Sequence, residues 1–338
     1  MAKVTVIGAG SWGLALATVL AENGHEVKVW SVLDSEIEML NNFHEHKDKL
    51  PGVILSDLIT YTNDVKEACC DKDLFIMAVP STYVRSTAHL FAPYFEDGKI
   101  IVNVSKGIED DTLSILTDVI KDEIPNCVEA VLSGPSHAEE VSRKIPTSVV
   151  VGANEKETAE YVQNIFMNDY FRVYVSPDIL GMELCGALKN VVALAAGIAD
   201  GLGYGDNTKA ALITRGLSEI TRLGVKMGGR PETFSGLTGI GDLIVTCASM
   251  HSRNRRAGIL MGQGKTMQEA MDEVKMVVEG VYSAKAAIAL SKKYEVEMPL
   301  VEIVNRILFD NMKATDAFTA LMNRERKLEY ADVNWNNK

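Results

Sequence analysis

The run Val4-Thr5-Val6-Ile7-Gly8-Ala9-Gly10-Ser11-Trp12-Gly13 constrains this chain more than any other. An apolar, β-branched segment enters a Gly-x-Gly-x-x-Gly turn and leaves it as a helix beginning Leu14-Ala15-Leu16. The glycines serve three separate physical ends. Gly8 permits the tight turn, Gly10 lets backbone N–H groups approach a pyrophosphate, and Gly13 lets the helix pack closely on the strand. The anion then rests at the positive end of the helix dipole. Glycine spacing alone often serves only the backbone. With strand, turn and helix in this order, the segment predicts a dinucleotide cradle.

Short β-branched runs alternate with longer helical segments through the first half, the pattern of a parallel sheet covered by helices. Strands are expected at 3–7, 26–30, 74–79, 99–104, 129–132, 147–151 and 171–175. After Pro177 such runs give way to Ala/Leu/Gly-rich helical stretches at 181–199, 208–226, 285–293 and 300–313, and the polar end at 332–338 is expected to fray. The predicted fold is therefore α/β: an N-terminal Rossmann-type doubly wound sheet at 1–176, followed by an all-helical C-terminal domain at 177–338. A chain of 338 residues exceeds what one hydrophobic core usually holds, in keeping with two domains.

A net charge of −12 argues against broad affinity for nucleic acid or anionic membrane, so cations that meet a phosphate must be local clusters. The five cysteines form no Cys-x-x-Cys pair and no zinc-like spacing with histidine; no metal site is expected, and a reduced, cytoplasmic protein is the simplest reading. No signal-peptide pattern opens the chain, and apolar runs such as 191–199 fall short of the ~20 residues of a membrane span, so no membrane insertion is expected.

Ligands of open α/β sheets lie beyond the carboxyl ends of the strands. Three such ends carry chemistry: Ala78-Val79-Pro80-Ser81, Asn103-Val104-Ser105-Lys106-Gly107 and Ser133-Gly134-Pro135-Ser136-His137-Ala138. Lys106 is the strongest, since an ammonium there faces both cofactor and substrate, although a surface lysine is the plain alternative. His137 makes a weaker base. In the helical half, Lys189 and Asn190 interrupt an apolar helix, which fits snorkelling or, better, projection into a cleft between domains. A half-buried lysine near other cations has a lowered proton affinity and suits acid/base work. A third cluster joins Gly241-Asp242 and Thr246 to Ser252-Arg253-Asn254-Arg255-Arg256, either a solvated basic patch or a guanidinium clamp for phosphate.

Taken together, the chain resembles the bacterial NAD(P)-dependent glycerol-3-phosphate dehydrogenases over nearly its whole length. The motifs that carry the resemblance are Ser-Lys-Gly at Ser105, Ser-Gly-Pro-Ser at Ser133, Leu-Lys-Asn at Leu188, Gly-Asp-Leu at Gly241, Ser-Arg-Asn at Ser252 and Val-Val-Glu-Gly at Val277. It implies reversible reduction of dihydroxyacetone phosphate by NAD(P)H, supplying glycerol 3-phosphate to phospholipid synthesis. Ser11, Trp12, Lys106, Ala138, Arg253, Val277 and Glu279 would surround the dinucleotide. Lys106, Gly134, Ser136, Lys189, Asp242, Ser252, Arg253 and Asn254 would hold the substrate. Lys189 matches the proton-transfer residue, with Lys106, Asn190, Asp242 and Thr246 completing the catalytic group.

One departure concerns the second strand, which runs into Ser31-Val32-Leu33-Asp34 where many members carry basic residues suited to the 2′-phosphate of NADP. NADH is therefore expected to serve comparably well or better. Asp34 is open between a ribose contact and a helix N-cap. Rival readings are a related reductase of a small hydroxy acid and a non-catalytic dinucleotide sensor; a homodimer is compatible with the resemblance.

Overall fold

Residues 1–326, 328 and 329 are described in a computed structural model; the expected fraying at 332–338 lies outside the described residues. Eight strands form one sheet: β1 (Lys3–Ile7), β2 (Glu26–Trp30), β3 (Ile59–Thr62), β4 (Leu74–Met77), β5 (Ile100–Asn103), β6 (Val128–Ser133), β7 (Thr147–Ala153) and β8 (Phe171–Ser176). Their spatial order is β3-β2-β1-β4-β5-β6-β7-β8. The first six run parallel, with Val6 opposite Val29 of β2 and Ile76 of β4. Helices cover both faces: Ser11–Glu22 and Lys156–Phe166 pack on one, Val84–Phe91 and Leu116–Glu123 on the other. This is the doubly wound arrangement, and its order reverses between β1 and β4, where such sheets open a ligand crevice.

Two features differ from the sequence expectation. The sheet contains β3, which pairs with β2 at the sheet edge and whose Ile-Thr-Tyr-Thr run is too short and polar to stand out. In addition, β7 lies antiparallel to β6. The link between them, 134–146, holds only the four-residue Ala138–Val141 helix, whereas β7 and β8, joined by the full Lys156–Phe166 helix, are parallel. A parallel crossover needs a helix-sized connection.

Beyond β8 all described elements are helical. The Ile179–Gly201 helix is the axis of this half, packed by Asp206–Met227, Asp242–Ala248, Arg253–Gly262, Glu279–Lys293 and Pro299–Phe309. It is long and apolar enough to cross a bilayer by composition, longer than the 191–199 run suggested, yet 94% of its apolar window is buried inside the protein. The Arg253–Gly262 helix approaches it so closely that a Cβ at Gly258 would stand 2.3 Å from the Leu194 carbonyl oxygen. That contact fixes the Ser252–Asn254 corner against the middle of the axial helix, beside Lys189 and Asn190.

Candidate active site

The glycine turn has the geometry its spacing requires. Gly8 adopts φ +117°, in the left-handed region, and a Cβ there would stand 2.9 Å from the Ala78 carbonyl oxygen. A Cβ at Gly13 would fall 2.2 Å from the Gly8 carbonyl oxygen, whereas one at Gly10 would meet nothing within 4 Å. The backbone is thus packed tightly beneath the turn and bare above it, at the start of the Ser11–Glu22 helix. This cradle fits a pyrophosphate. Ser11 and Trp12 occupy the first helical turn, where Ser11 Oγ donates to the Lys49 carbonyl at 2.6 Å and the buried Trp12 Nε1 has no acceptor among the described residues.

At the tip of β2, Val32 and Leu33 are exposed and Ser31 is buried, donating from its hydroxyl to Glu36 Oε2 at 2.6 Å. Lys49 is ion-paired with Glu36, which burial disfavours as an anion but which His46, Lys49 and Ser31 together hold down to about 2. Asp34 is not the N-cap: the helix begins at Asp34 itself, and its carboxylate accepts from Asn63 at 2.5 Å.

The strongest convergence joins the two halves of the chain. Lys106, after β5, donates to Asp242 Oδ2 at 2.6 Å and to the Gly134 carbonyl at 3.4 Å. Lys189, from the axial helix, donates to Asp242 Oδ1 at 2.9 Å and to Thr246 Oγ1 at 2.6 Å. The Asp242 and Lys189 side chains are only 2% and 7% exposed, while Lys106 at 22% keeps a path to the surface. Burial pushes Lys189 down to about 8; Asp242 opposes that shift and the neighbouring Lys106 charge reinforces it. Asp242 titrates below the usual carboxylate range because Lys106 and Lys189 together outweigh its own burial.

Around this centre, Gly134 adopts φ +149° beneath the loop, and Ser136 Oγ donates to its carbonyl at 2.9 Å. Ala138 is buried just after. Asn190 does not bond the Lys189 ammonium: its Nδ2 donates to the Gly186 carbonyl at 3.2 Å and its Oδ1 accepts from Asn254 Nδ2 at 2.9 Å. Asn254 Oδ1 in turn accepts from the Gly280 N–H at 2.8 Å. Ser252 caps the Arg253–Gly262 helix by accepting from the Arg255 N–H. Arg253 is half-buried, and burial disfavours its charge while Glu279 favours it. Val277 is half-buried beside Val278, the N-cap of the Glu279–Lys293 helix.

Glu279 reaches across to the sheet half, accepting from the Ser81 N–H at 3.1 Å and from Ser81 Oγ at 2.5 Å. Of the basic cluster, Arg255 is occupied structurally, paired with Asp200 at 2.7 Å. Glu183 went unread in the sequence: it is buried on the axial helix and accepts from Thr117 Oγ1 at 2.7 Å and from Asn103 Nδ2. Its signal was an acid in an otherwise apolar run. A cavity of about 640 Å³ beside β7 and β8, lined by residues including Ser148, Tyr174, Arg230 and Thr233, is separate from these groups.

Comparison with known proteins agrees with this geometry. Residues 3–159 match the family model described as NAD-dependent glycerol-3-phosphate dehydrogenase N-terminus, and residues 178–319 match that of its C-terminus. A glycerol-3-phosphate dehydrogenase (NAD(P)+) of Agathobacter rectalis is 61% identical, covering 99% of this chain and 100% of the relative. A Bacillus subtilis protein of the same name is 53% identical over 98% of this chain and 97% of its own. The crystal structure of a glycerol-3-phosphate dehydrogenase from Coxiella burnetii superimposes with a TM-score of 0.93 at 35% identity, covering 96% of this chain and 99% of that one.

Proposed function

The chain belongs to the NAD-dependent glycerol-3-phosphate dehydrogenase family and is an NAD(P)-dependent oxidoreductase that interconverts dihydroxyacetone phosphate and glycerol 3-phosphate, and on that premise we propose how its residues divide the reaction. The observation that carries the proposal is the single carboxylate, Asp242, shared by Lys106 of the sheet half and Lys189 of the helical half.

Gly8, Gly10, Gly13, Ser11 and Trp12 hold the dinucleotide, with Lys106, Ala138, Arg253, Val277 and Glu279 along its path. When bound there, the nicotinamide supplies or accepts the hydride at C2 of the substrate. Lys106 and Lys189 direct their ammonium groups at the C2 oxygen. In reduction, charged Lys189 gives its proton to that oxygen as negative charge develops on it. In oxidation, neutral Lys189 removes the hydroxyl proton. Asp242 and Thr246 orient the amine, and Asn190 acts one step removed, by fixing Asn254.

Arg253, Asn254 and Ser252 grip the substrate phosphate with Gly134 and Ser136, far from the reacting carbon, so that their binding energy is used for orientation. The division of the chain into 1–176 and 177–338 belongs to the same proposal, supported by the end of the last strand at Ser176. So do a cytoplasmic location, which the free thiols of all five cysteines fit, a homodimeric state, and reduction toward phospholipid synthesis as the working direction.

Absorbance at the nicotinamide band tests the reading. Dihydroxyacetone phosphate should be turned over with NADH and with NADPH, and glycerol 3-phosphate should be oxidised far faster than glycerol or a small hydroxy acid. Equal rates with unphosphorylated substrates would defeat the phosphate clamp.

A further inference from the structure

Glu183, Gly186 and Lys189 stand at successive turns of the axial helix, on the side that meets β5 and the loop after it. Glu183 is 5% exposed and forms no ion pair among the described residues; its carboxylate is held by donors of the sheet half. Oε2 accepts from the Thr117 N–H at 3.2 Å and from Thr117 Oγ1 at 2.7 Å, and Oε1 accepts from Asn103 Nδ2. Asn103 ends β5 and frames the turn that follows: its Nδ2 donates to the Ser105 carbonyl at 3.2 Å, and its Oδ1 accepts from the Ser105 N–H at 3.1 Å. The next residue is Lys106, whose stem passes over Gly186, where a Cβ would stand 3.5 Å from Lys106 Cγ. One helix therefore grips the root of the Lys106 turn, makes room for its stem and carries the amine that shares its carboxylate.

We propose that Glu183 is a positioning residue of the reaction: by orienting the Asn103 amide it fixes the Ser105–Lys106 turn and so holds the Lys106 ammonium against Asp242. The proposal rests on Lys189 being the proton-transfer group. It makes the carboxylate a requirement of geometry at Lys106, and thereby of proton affinity at Lys189, since the Lys106 charge is one of the groups that lower that affinity.

Glu183→Gln breaks this relay selectively. A glutamine has one acceptor oxygen, which the two Thr117 donors retain, so its NH2 faces the Asn103 NH2. Asn103 must then rotate and give up its paired bonds to Ser105. The Lys106 ammonium loses its register, Lys189 keeps Asp242 with less competition, and its proton affinity rises. Burial raises the Glu183 carboxyl to about 7, so it is charged at the Lys189 midpoint near 8. Removing that negative charge would act directly in the opposite direction, lowering the affinity of Lys189, so the sign of the shift at that midpoint separates positioning from simple electrostatics.

The test is the pH dependence of kcat and kcat/KM for glycerol 3-phosphate oxidation in the wild type, Glu183→Gln and Thr117→Val, with Tm recorded for each. Glu183→Gln is expected to lose about ten- to a hundredfold in kcat, with its midpoint moved upward by about one pH unit. Thr117→Val, which loosens Glu183 without touching Asn103, is expected to lower Tm and leave the midpoint where it was. If Glu183→Gln does not fold, Asn103→Ala severs the same link while sparing the Thr117 grip, and its midpoint must also rise. A wild-type-like midpoint and kcat in the folded variant, or a downward shift, would overturn the proposal. A wild-type profile with no limb that depends on Lys189 would instead refute the assignment of Lys189, and this proposal with it.

Discussion

Lys106 and Lys189 hold opposite oxygens of one carboxylate, at 2.6 and 2.9 Å from Asp242, although one comes from the sheet half and the other from the helical half. Two buried or half-buried cations on one anion leave a net positive charge where the substrate oxygen becomes negative. Such preorganised charge is worth most in a site that excludes water.

The pH dependence of the two directions should be opposite. Lys189 must be neutral to take a proton and charged to give one, and its affinity is brought down from 10.5 to about 8. kcat/KM for oxidation should therefore rise to a plateau above about pH 8, and for reduction it should decline above the same point. An oxidation limb still rising to 10.5 would count against a buried Lys189 as the base.

Arg253 carries its charge half-buried beside Asn254, with Glu279 as its electrostatic support. Arg253→Ala should raise KM for substrate and cofactor, by about tenfold or more, the scale of a lost charge-assisted hydrogen bond. Steady-state kinetics with each varied in turn will measure this. Unchanged KM values for both would remove Arg253 from the clamp.

Cofactor choice turns on the tip of β2, where Val32 is 69% and Leu33 50% exposed and where Lys49 is already neutralised by Glu36. None of these residues offers an unpaired cation to a 2′-phosphate, so kcat/KM with NADH should equal or exceed that with NADPH. A strong preference for NADPH would contradict this reading.

Folding stability should also depend on pH through Glu219, a buried carboxylate that accepts the Leu300 and Val301 N–H groups at the start of the Pro299–Phe309 helix. Burial raises it from 4.5 to about 7 against those hydrogen bonds. The folded chain thus binds this proton more tightly than the unfolded chain does. The stabilisation is complete below pH 4.5 and is lost as pH rises to about 7. Glu219 should account for a fall on the order of 3 kcal/mol across that interval. Urea unfolding of Glu219→Gln should show a flatter pH dependence than the wild type; an identical slope would contradict the assignment.

Much of the sheet was legible because β1 and β2 carry short β-branched runs bounded by turns, and because strand, glycine turn and helix follow one another in order, with close backbone contacts at Gly8 and Gly13. The direction of β7 was not legible, since it depends on the path of 134–146 rather than on the strand itself. At the site, residue types were readable but pairings were not. Lys106, Lys189 and Asp242 are distant in sequence and meet only through packing, and Asn190, adjacent to Lys189, turns instead to Asn254. Glu183 escaped notice because its partners, Asn103 and Thr117, lie on other elements.

The most direct measurement is the turnover of Lys189→Ala. Lys106 remains to balance Asp242 in this variant, so it should fold, with near-wild-type circular dichroism and only a modest change in Tm. Its kcat should fall by about a hundredfold or more, the scale of a lost general acid/base, in both directions of the reaction. Full activity in the folded variant would contradict the role of Lys189 and the mechanism built on it.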